Sequence, residues 1–375
     1  MSRQTLLADQ IFDGDRWLPA TPVTIEAGQI VALDTVPGVP VTRVSGRLVP
    51  GFIDIQVNGG GGVLFNQTPS LAGLQTLTQA HARFGSTGVL PTVITDDLSV
   101  MQRAADAVAS ARAQRLPGVL GIHFEGPHLA VAKRGVHSEQ FIRELSEAEW
   151  ALYRRQDLGV RVLTVAPETV SPDTIAQLVA VGVHVCLGHS NADYETVQQA
   201  LAAGASGFTH LYNAMSPLTS REPGMVGAAL LDGNSWCGII VDGCHAHDAC
   251  LQLALRSKPR GKVVLITDAM ATVGSNQTEF AFFGGTVRRD GNRLLDERGA
   301  LAGSTLDMAT AVRESQRRLG IDLGEALRMA ARYPAEFLGL GQQRGRIALG
   351  QSADLVLLDE ALQVQQCWIA GRTMI

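Results

Sequence analysis

The sequence predicts an α/β fold, namely a (β/α)8 TIM-type barrel with a small β-sandwich domain formed by the N- and C-terminal segments. Three observations predict it. The middle of the chain alternates eight short apolar runs with segments of helical periodicity. Both ends contain short strands separated by turns. The length of 375 residues suits a barrel of about 250 to 300 residues with a small partner domain.

The two ends of the chain resemble each other in pattern. Near the start, Val23-Thr24-Ile25 precedes the turn residues Ala27-Gly28, and near the end the apolar run 353–358 has the same short, strand-like character. We therefore expect residues 1–49 and 340–375 to form one discontinuous β domain. Residues 50–339 would form the barrel between them.

The barrel elements follow from the alternation. Strands are predicted near residues 51–57, 88–94, 118–124, 161–166, 182–187, 206–210, 236–242 and 262–267. Helices are predicted at 70–84, 97–114, 172–181 and 192–203, and again at 306–319 and 322–338. Gly284-Gly285 and Asp290-Gly291-Asn292 interrupt the pattern, which indicates a hairpin excursion at 279–303 near the barrel mouth.

Charge and cysteine content exclude several classes of protein. The net charge is -5 with no basic stripe, so neither nucleic acid nor an anionic membrane is expected as a partner. The five cysteines form no C-x-x-C pair, and no run of about 18 apolar residues occurs. We expect a soluble cytoplasmic protein that acts on a small molecule.

Two histidines end successive predicted strands. His189 follows the run 182–187, and His210 follows the run that begins at residue 206. A right-handed crossover makes these strands parallel, so both imidazoles emerge at the same edge of the sheet. Either histidine alone is as readily a half-buried core residue, but the pair indicates a metal site.

Polar residues gather at the other predicted strand ends as well. In a barrel of this type the chemistry lies at the carboxyl ends of the strands. The residues that stand there are Gln56, Asn58, Glu125, Glu168, His189, His210, Asp242, His245 and Asp268.

Glu125, His189 and His210 together form the ligand set of a catalytic zinc or similar divalent ion, with one position left for water. One such ion per subunit is expected; iron, cobalt and manganese are alternatives to zinc. Asp268 could take a proton from that water and return it to the leaving group. The alternative for Asp268 is a helix N-cap within Thr267-Asp268-Ala269.

Two loop residues could bind substrate. His137, in the long loop after the third strand, could polarise a carbonyl group, although a solvated loop histidine is an equally simple reading. Arg221 could hold an anion as a bidentate donor, against the usual case of a surface arginine.

These residues lie within motifs that resemble the amidohydrolase superfamily, and within it the N-acetylglucosamine-6-phosphate deacetylases. The motifs occupy residues 50–59 (PGFIDIQVNG), 123–127 (HFEGP), 165–168 (VAPE), 188–192 (GHSNA), 209–215 (THLYNAM), 221–224 (REPG), 242–245 (DGCH), 267–269 (TDA) and 301–304 (LAGS). They run in family order across nearly the whole chain.

The resemblance implies hydrolysis of the acetamido group of N-acetyl-D-glucosamine 6-phosphate to D-glucosamine 6-phosphate and acetate, a step of amino-sugar catabolism or cell-wall recycling. It implies a metal held by Glu125, His189 and His210, with Asp268 as acid/base and His137 as the group that polarises the amide carbonyl. Substrate contacts, largely through backbone, are implied for Asn213, Ala214, Leu301, Ala302 and Gly303. Phosphate contacts are implied for His245 and Arg221. Arg221 would reach in from a second subunit, which implies a homodimer.

One feature departs from the wider superfamily. Most members carry His-x-His on the first strand and often a carbamylated lysine, and these hold two metals. Here the first strand ends in Gln56-x-Asn58, and the three lysines lie outside the predicted strand ends that face the site. A single ion is favoured, with Gln56 and Asn58 lining the site or an empty second position.

Four alternatives remain open from the sequence. They are an N-acetylgalactosamine-6-phosphate deacetylase, another mononuclear amidohydrolase acting on a cyclic amide or a dipeptide, a barrel lyase with a lysine Schiff base, and a non-catalytic scaffold. The lyase lacks a lysine at a predicted strand end, and the scaffold would be expected to have lost ligands that this chain keeps.

Overall fold

The computed structural model describes residues 3–375. Its strands are β1 (Gln4–Phe12), β2 (Trp17–Pro19), β3 (Pro22–Glu26), β4 (Gln29–Ala32), β5 (Val41–Pro50), β6 (Phe52–Val57), β7 (Gly59–Gly60), β8 (Val63–Leu64), β9 (Ser86–Ile94), β10 (Gly121–Glu125), β11 (Val160–Val165), β12 (His184–Leu187), β13 (Gly207–Phe208), β14 (Trp236–Ile239), β15 (Val263–Leu265), β16 (Glu279–Phe282), β17 (Gly285–Asp290), β18 (Arg293–Leu295), β19 (Leu301–Ser304), β20 (Leu355–Leu358), β21 (Val364–Ile369) and β22 (Arg372–Thr373).

The helices are α1 (Leu71–Ala82), α2 (Leu98–Ala113), α3 (Glu147–Tyr153), α4 (Pro172–Ala180), α5 (Tyr194–Ala202), α6 (Gly224–Leu231), α7 (Asp248–Ser257), α8 (Met308–Leu319), α9 (Leu323–Ala330) and α10 (Arg332–Phe337). Many begin at a side chain that accepts a backbone N–H, such as Asp97 before α2, Ser171 before α4 and Asp193 before α5. These caps satisfy amide groups that the first helical turn cannot pair.

Eight strands form the predicted barrel. Their order is β15-β14-β13-β12-β11-β10-β9-β6, and every neighbouring pair is parallel. The ring closes just beyond β15, where the Asp268 amide donates to the Gln56 carbonyl at 3.0 Å and the Asn58 amide donates to the Ala269 carbonyl at 2.9 Å. The fold class is confirmed. The closure also brings the polar ends of the first and eighth strands side by side.

The two ends of the chain pair into one sheet. Strand β5 runs parallel to β1 and antiparallel to β20, so N-terminal and C-terminal residues lie next to each other. This sheet has its own apolar core, which includes Leu6, Val23, Ile30, Leu355 and Trp368. We propose residues 1–49 and 340–375 as a discontinuous domain on this basis.

The excursion after the eighth barrel strand is a four-stranded antiparallel sheet, β16 to β19. It packs against the barrel mouth through a small apolar cluster that contains Leu64, Met270, Val287, Leu294 and Ala302. The sheet therefore supplies one wall of the site described below.

One predicted helix is divided in the structure. The prediction of a single helix at 322–338 is wrong, because Ala331 has φ -130° and ψ -66° and separates α9 from α10. Pro334 lies in the first turn of α10, where its missing N–H leaves no bond unmade. Among residues 3–375, no helix combines the length and apolar character needed to cross a lipid bilayer.

Candidate active site

The three predicted metal ligands converge at the barrel mouth. Glu125 is the last residue of β10, and His189 and His210 stand just beyond β12 and β13. The Glu125 Oε1 atom lies 3.1 Å from His189 Nε2 and 3.0 Å from His210 Nε2, and the two Nε2 atoms are 3.0 Å apart. All three side chains are buried. Within the described part of the chain they form the one cluster of His, Cys, Asp or Glu side chains with metal-ligand spacing.

The tautomer of His189 shows what this cluster can bind. Its Nδ1 atom lies 2.9 Å from the Lys133 carbonyl oxygen, which can only accept, so Nδ1 carries the proton. The Nε2 lone pair of the neutral ring therefore points at the Glu125 carboxylate and at the second imidazole. Lone pairs that close together need a shared cation. A carboxylate with two imidazoles, one of them oriented by a backbone carbonyl, fits a divalent transition-metal ion.

The electrostatics of the cluster favour positive charge. Burial alone would raise the pKa of Glu125, but the His189 and His210 imidazoles in contact with its carboxylate hold that pKa well below the usual value. Burial alone would lower the pKa of His210, yet the hydrogen bond with Glu125 raises it. Each partner thus stabilises the charged form of the other, and a cation placed between them gains the same attraction.

Asp268 lies beside the cluster, and one of its two carboxylate oxygens already accepts hydrogen bonds. Its Oδ1 atom accepts from Asn58 Nδ2 at 2.6 Å and from Gln56 Nε2 at 3.2 Å. Burial and the charge of Glu125 raise the pKa of Asp268 to about 6. The residues that follow form a bridge and turns rather than a helix, so the N-cap alternative for Asp268 is wrong.

Gln56 and Asn58 act here as donors. The Gln56 amide nitrogen bridges Glu125 Oε1 at 3.1 Å and Asp268 Oδ1 at 3.2 Å. An amide N–H group offers no lone pair to a metal, so in this orientation Gln56 is a hydrogen-bond donor to both carboxylates and not a metal ligand.

Three of the site residues have a strained backbone conformation. His189, His210 and Asp268 have φ of 48°, 31° and 52°, in the left-handed region that non-glycine residues rarely adopt. Each stands where its barrel strand ends, and the positive φ turns the side chain into the mouth. Strain of this kind persists only where surrounding contacts enforce it, and such positions cluster at active sites.

His137 is buried and reaches the site from the loop after β10. Its ring lies edge-on to that of His189 with centroids 4.3 Å apart, and its Nδ1 atom is 2.9 Å from Thr95 Oγ1. Burial, followed by the neighbouring His189, lowers the pKa of His137 to about 3. The ring is therefore neutral near pH 7 and is no longer a candidate for a solvated loop histidine.

A single cavity contains most of the predicted site residues. It is lined by Asn58, Glu125, His137, His189, His210, Asn213, Ala214, His245, Asp268, Leu301 and Gly303. Asn213 and Ala214 follow the sixth strand, and His245 follows the seventh. Leu301 and Gly303 belong to β19, which bridges through Ser304 to Ala269, next to the first strand.

Two predicted substrate residues do not line this cavity. The Ala302 side chain is fully buried in the small cluster under the four-stranded sheet, because alternation along β19 places Leu301 and Gly303 on the other face. Arg221 is exposed in the loop before α6 and is absent from the cavity of its own chain.

Several lining residues were missed by the sequence reasoning. Ile94, Gly135, Val136, Met270 and Phe282 contribute to the wall. Thr95, which holds His137, follows the second barrel strand and could have been found by the same strand-end rule. Phe282 gave no signal, since its position depends on how the four-stranded sheet docks.

The model of the amidohydrolase family matches residues 47–374, which includes every barrel strand and the whole metal cluster. The chain belongs to the amidohydrolase family. As an amidohydrolase it carries the family's kind of metal-dependent site, with the Glu125, His189 and His210 cluster as the group that can hold the ion.

Relatives of this amidohydrolase include proteins named for two epimeric substrates. It is 57% identical over 330 residues to an N-acetylgalactosamine-6-phosphate deacetylase of Shewanella sp. (strain ANA-3), covering 88% of this chain and 84% of the relative. It is 34% identical over 378 residues to an N-acetylglucosamine-6-phosphate deacetylase of Vibrio furnissii, covering 97% and 93%. The crystal structure of N-acetylglucosamine-6-phosphate deacetylase from Pasteurella multocida superposes with a TM-score of 0.95 at 34% identity and 99% coverage of both chains.

Proposed function

We propose that this amidohydrolase removes the acetyl group from an N-acetylhexosamine 6-phosphate, giving the hexosamine 6-phosphate and acetate. The observation that carries the proposal is the convergence of a Glu-His-His metal cluster and a separate, partly buried carboxylate, Asp268, on one cavity. Relatives at 57% and 34% identity that span most of this chain are named as deacetylases of such sugars.

The metal ligands would be Glu125 Oε1 and the Nε2 atoms of His189 and His210. A divalent ion bound there would act as a Lewis acid and lower the pKa of water, so that a nucleophile is available near neutral pH. The donor set suits zinc first, with iron, cobalt and manganese as further candidates.

Asp268 moves the proton. Its Oδ1 atom is occupied by the Gln56 and Asn58 amides, so Oδ2 is the oxygen left to accept a proton from the attacking water. The water oxygen bonds to the amide carbon, Asp268 returns the proton to the departing nitrogen, and the C–N bond breaks. Acetate and the free amine leave. A carboxyl pKa of about 6 suits a group that must both accept and return a proton.

His137 polarises the amide carbonyl. To donate through Nε2–H, the neutral ring must accept at Nδ1. The Thr95 hydroxyl, 2.9 Å from Nδ1, would supply that proton by turning away from the Glu125 carbonyl oxygen at 3.2 Å. A neutral donor of low pKa stabilises negative charge developing on the carbonyl oxygen without giving up its proton. The ring also faces His189, which places it beside the metal ligands.

The sugar and its phosphate would occupy the part of the mouth formed after the sixth, seventh and eighth strands. Asn213, Ala214, Leu301 and Gly303 line the wall there, and His245 stands at the seventh strand. We assign His245 and a second subunit's Arg221 to the phosphate, and therefore propose a homodimer. We also propose that the protein is cytoplasmic.

The remaining choice is between two epimeric substrates, the gluco and the galacto sugar. The sequence motifs favoured the gluco sugar, whereas the relative at 57% identity is named for the galacto sugar. That identity favours N-acetylgalactosamine 6-phosphate as a second candidate substrate. Acetate release should be followed with both phosphosugars at matched concentrations. Turnover of at least one supports the deacetylase proposal, the higher kcat/KM identifies the epimer, and turnover of neither contradicts the proposal.

Replacing Arg221 with alanine tests the phosphate assignment. We expect the KM for the phosphorylated sugar to rise by about tenfold or more, because a charge-assisted bond to the phosphate is lost, with a much smaller effect on the unphosphorylated sugar. Steady-state kinetics on both sugars measure this. Arg256→Ala, an exposed arginine on α7, is the matched control. Equal losses on both sugars would discard the assignment.

Mixing two defective variants tests whether Arg221 crosses the interface. In a heterodimer of Arg221→Ala and Asp268→Asn chains, one site would combine an intact Asp268 with the intact Arg221 of the other subunit. Activity above the sum of the two parent variants is expected after subunit exchange. No gain, in a mixture shown to contain heterodimers, would place Arg221 outside the partner's site.

A further inference from the structure

Asp242 is a buried carboxylate beyond the seventh barrel strand that the proposed chemistry leaves without a role. Its side chain is 5% exposed. Oδ1 accepts the backbone N–H groups of Cys244 at 2.8 Å and His245 at 2.9 Å, and Oδ2 lies 2.6 Å from His245 Nδ1. Every one of these contacts is to the short turn that carries His245.

The contact fixes how His245 presents itself to the cavity. The ionised carboxylate can only accept, so His245 Nδ1 carries a proton and donates it. The Nε2 atom makes no hydrogen bond with any residue of the described range 3–375, and His245 lines the active-site cavity. Nε2 is therefore the atom left for a ligand. It can donate to an anion only when both ring nitrogens are protonated, which is the imidazolium form.

We propose that Asp242 is a positioning residue for phosphate recognition, which holds His245 with Nε2 towards the cavity and stabilises the imidazolium that a phosphate dianion requires. The proposal rests on the proposed function in taking the ligand of His245 to be the substrate phosphate. A buried aspartate that accepts from Nδ1–H both orients a histidine and favours its positive charge.

The charge balance of the pair agrees with this role. Burial would raise the pKa of Asp242, but the hydrogen bond from His245 holds that pKa below its usual value. Gly243 in this turn has φ +75°, a conformation that a side chain would strain. The two backbone N–H groups bound by Asp242 Oδ1 hold the turn, so Asp242 and His245 meet without any ligand present.

A purely structural role for Asp242 has a counterpart at the other end of the same strand. Asp232 accepts the backbone N–H groups of Asn234 at 3.2 Å and Ser235 at 2.6 Å just before β14, with no histidine involved. Backbone capping alone does not require an imidazole partner. Asp232→Asn is therefore a matched control for Asp242→Asn, with the same chemical change at a turn of similar design outside the cavity.

The test is steady-state kinetics of Asp242→Asn, H245Q and the double variant with phosphorylated and unphosphorylated N-acetylhexosamine. Asparagine keeps an acceptor for the backbone but loses the charge. We expect Asp242→Asn to raise the KM for the phosphosugar by about tenfold and to change the kcat for that sugar far less. The kcat/KM for the unphosphorylated sugar should also change far less. In the H245Q background the same change should raise KM no further.

Equal losses on both sugars, or a KM increase in the H245Q background as large as in the wild type, would overturn the proposal. Asp232→Asn should leave the ratio between the two sugars as in the wild type. If the wild type deacetylates neither sugar, the proposed function itself is refuted. This result is distinguished from a failure of the Asp242 proposal because it needs no variant.

A measurement on the wild type avoids any folding defect of the variants. With 15N-labelled histidine, and the His245 signals identified by their loss in H245Q, both ring nitrogens should show protonated shifts when inorganic phosphate is bound near neutral pH. A neutral His245 in the phosphate-bound protein would also overturn the proposal.

Discussion

Replacing Asp268 with asparagine should lower kcat by about 10²- to 10⁴-fold while the protein keeps its metal. The amide has nearly the same shape, but it cannot accept a proton from water or return it to the leaving nitrogen. The metal should stay because its proposed ligands are Glu125, His189 and His210. Acetate release and metal analysis on the same preparation measure both properties.

The control for this change is Asp193→Asn, which also lies at the carboxyl-end face of the barrel but caps α5 by accepting from the Thr196 amide at 2.9 Å. Asparagine is an equally good cap, so this variant should behave like the wild type. Near-normal turnover of Asp268→Asn would remove Asp268 as the acid/base, and loss of metal would show that it supports the cluster instead.

Replacing Glu125 with glutamine should abolish both metal binding and turnover. The wild type should purify with close to one metal equivalent per chain, because the amides of Gln56 and Asn58 occupy the region beside Asp268 as donors. The variant leaves two neutral imidazoles without the carboxylate that attracts the cation. We expect its metal content to fall to a small fraction of one equivalent and kcat to drop by about 10³-fold or more.

Glu195→Gln provides the comparison, since Glu195 is exposed on α5 between the two histidine-bearing strands. It should keep both metal and activity. About two equivalents in the wild type would contradict a single-ion site. A Glu125→Gln variant that retains a full equivalent would show that the cluster does not hold the ion.

The strand-end pattern was enough to locate the candidate site from sequence. Glu125, His189, His210 and Asp268 each stand at or just beyond the end of a parallel strand, and closure of the barrel necessarily gathers such residues at one rim. Their residue types alone indicate the chemistry, which is a carboxylate with two imidazoles and a second carboxylate. The barrel elements themselves follow from apolar periodicity.

Features that depend on distant packing could not be predicted in the same way. Phe282 reaches the cavity only because the four-stranded sheet docks on the mouth through Met270 and its neighbours. Ala302 faces away from the cavity because of the register of β19, and nothing local to residues 301–303 reveals that register. The break between α9 and α10 likewise depends on the backbone conformation of Ala331, which helical periodicity does not predict.

The most direct test of the metal-dependent deacetylase is acetate release from the two N-acetylhexosamine 6-phosphates before chelation, after chelation and after stepwise return of zinc. We predict activity on at least one sugar, its loss when the metal is removed, and its recovery as about one equivalent per chain is restored. Undiminished deacetylation by protein shown to be metal-free would contradict the account.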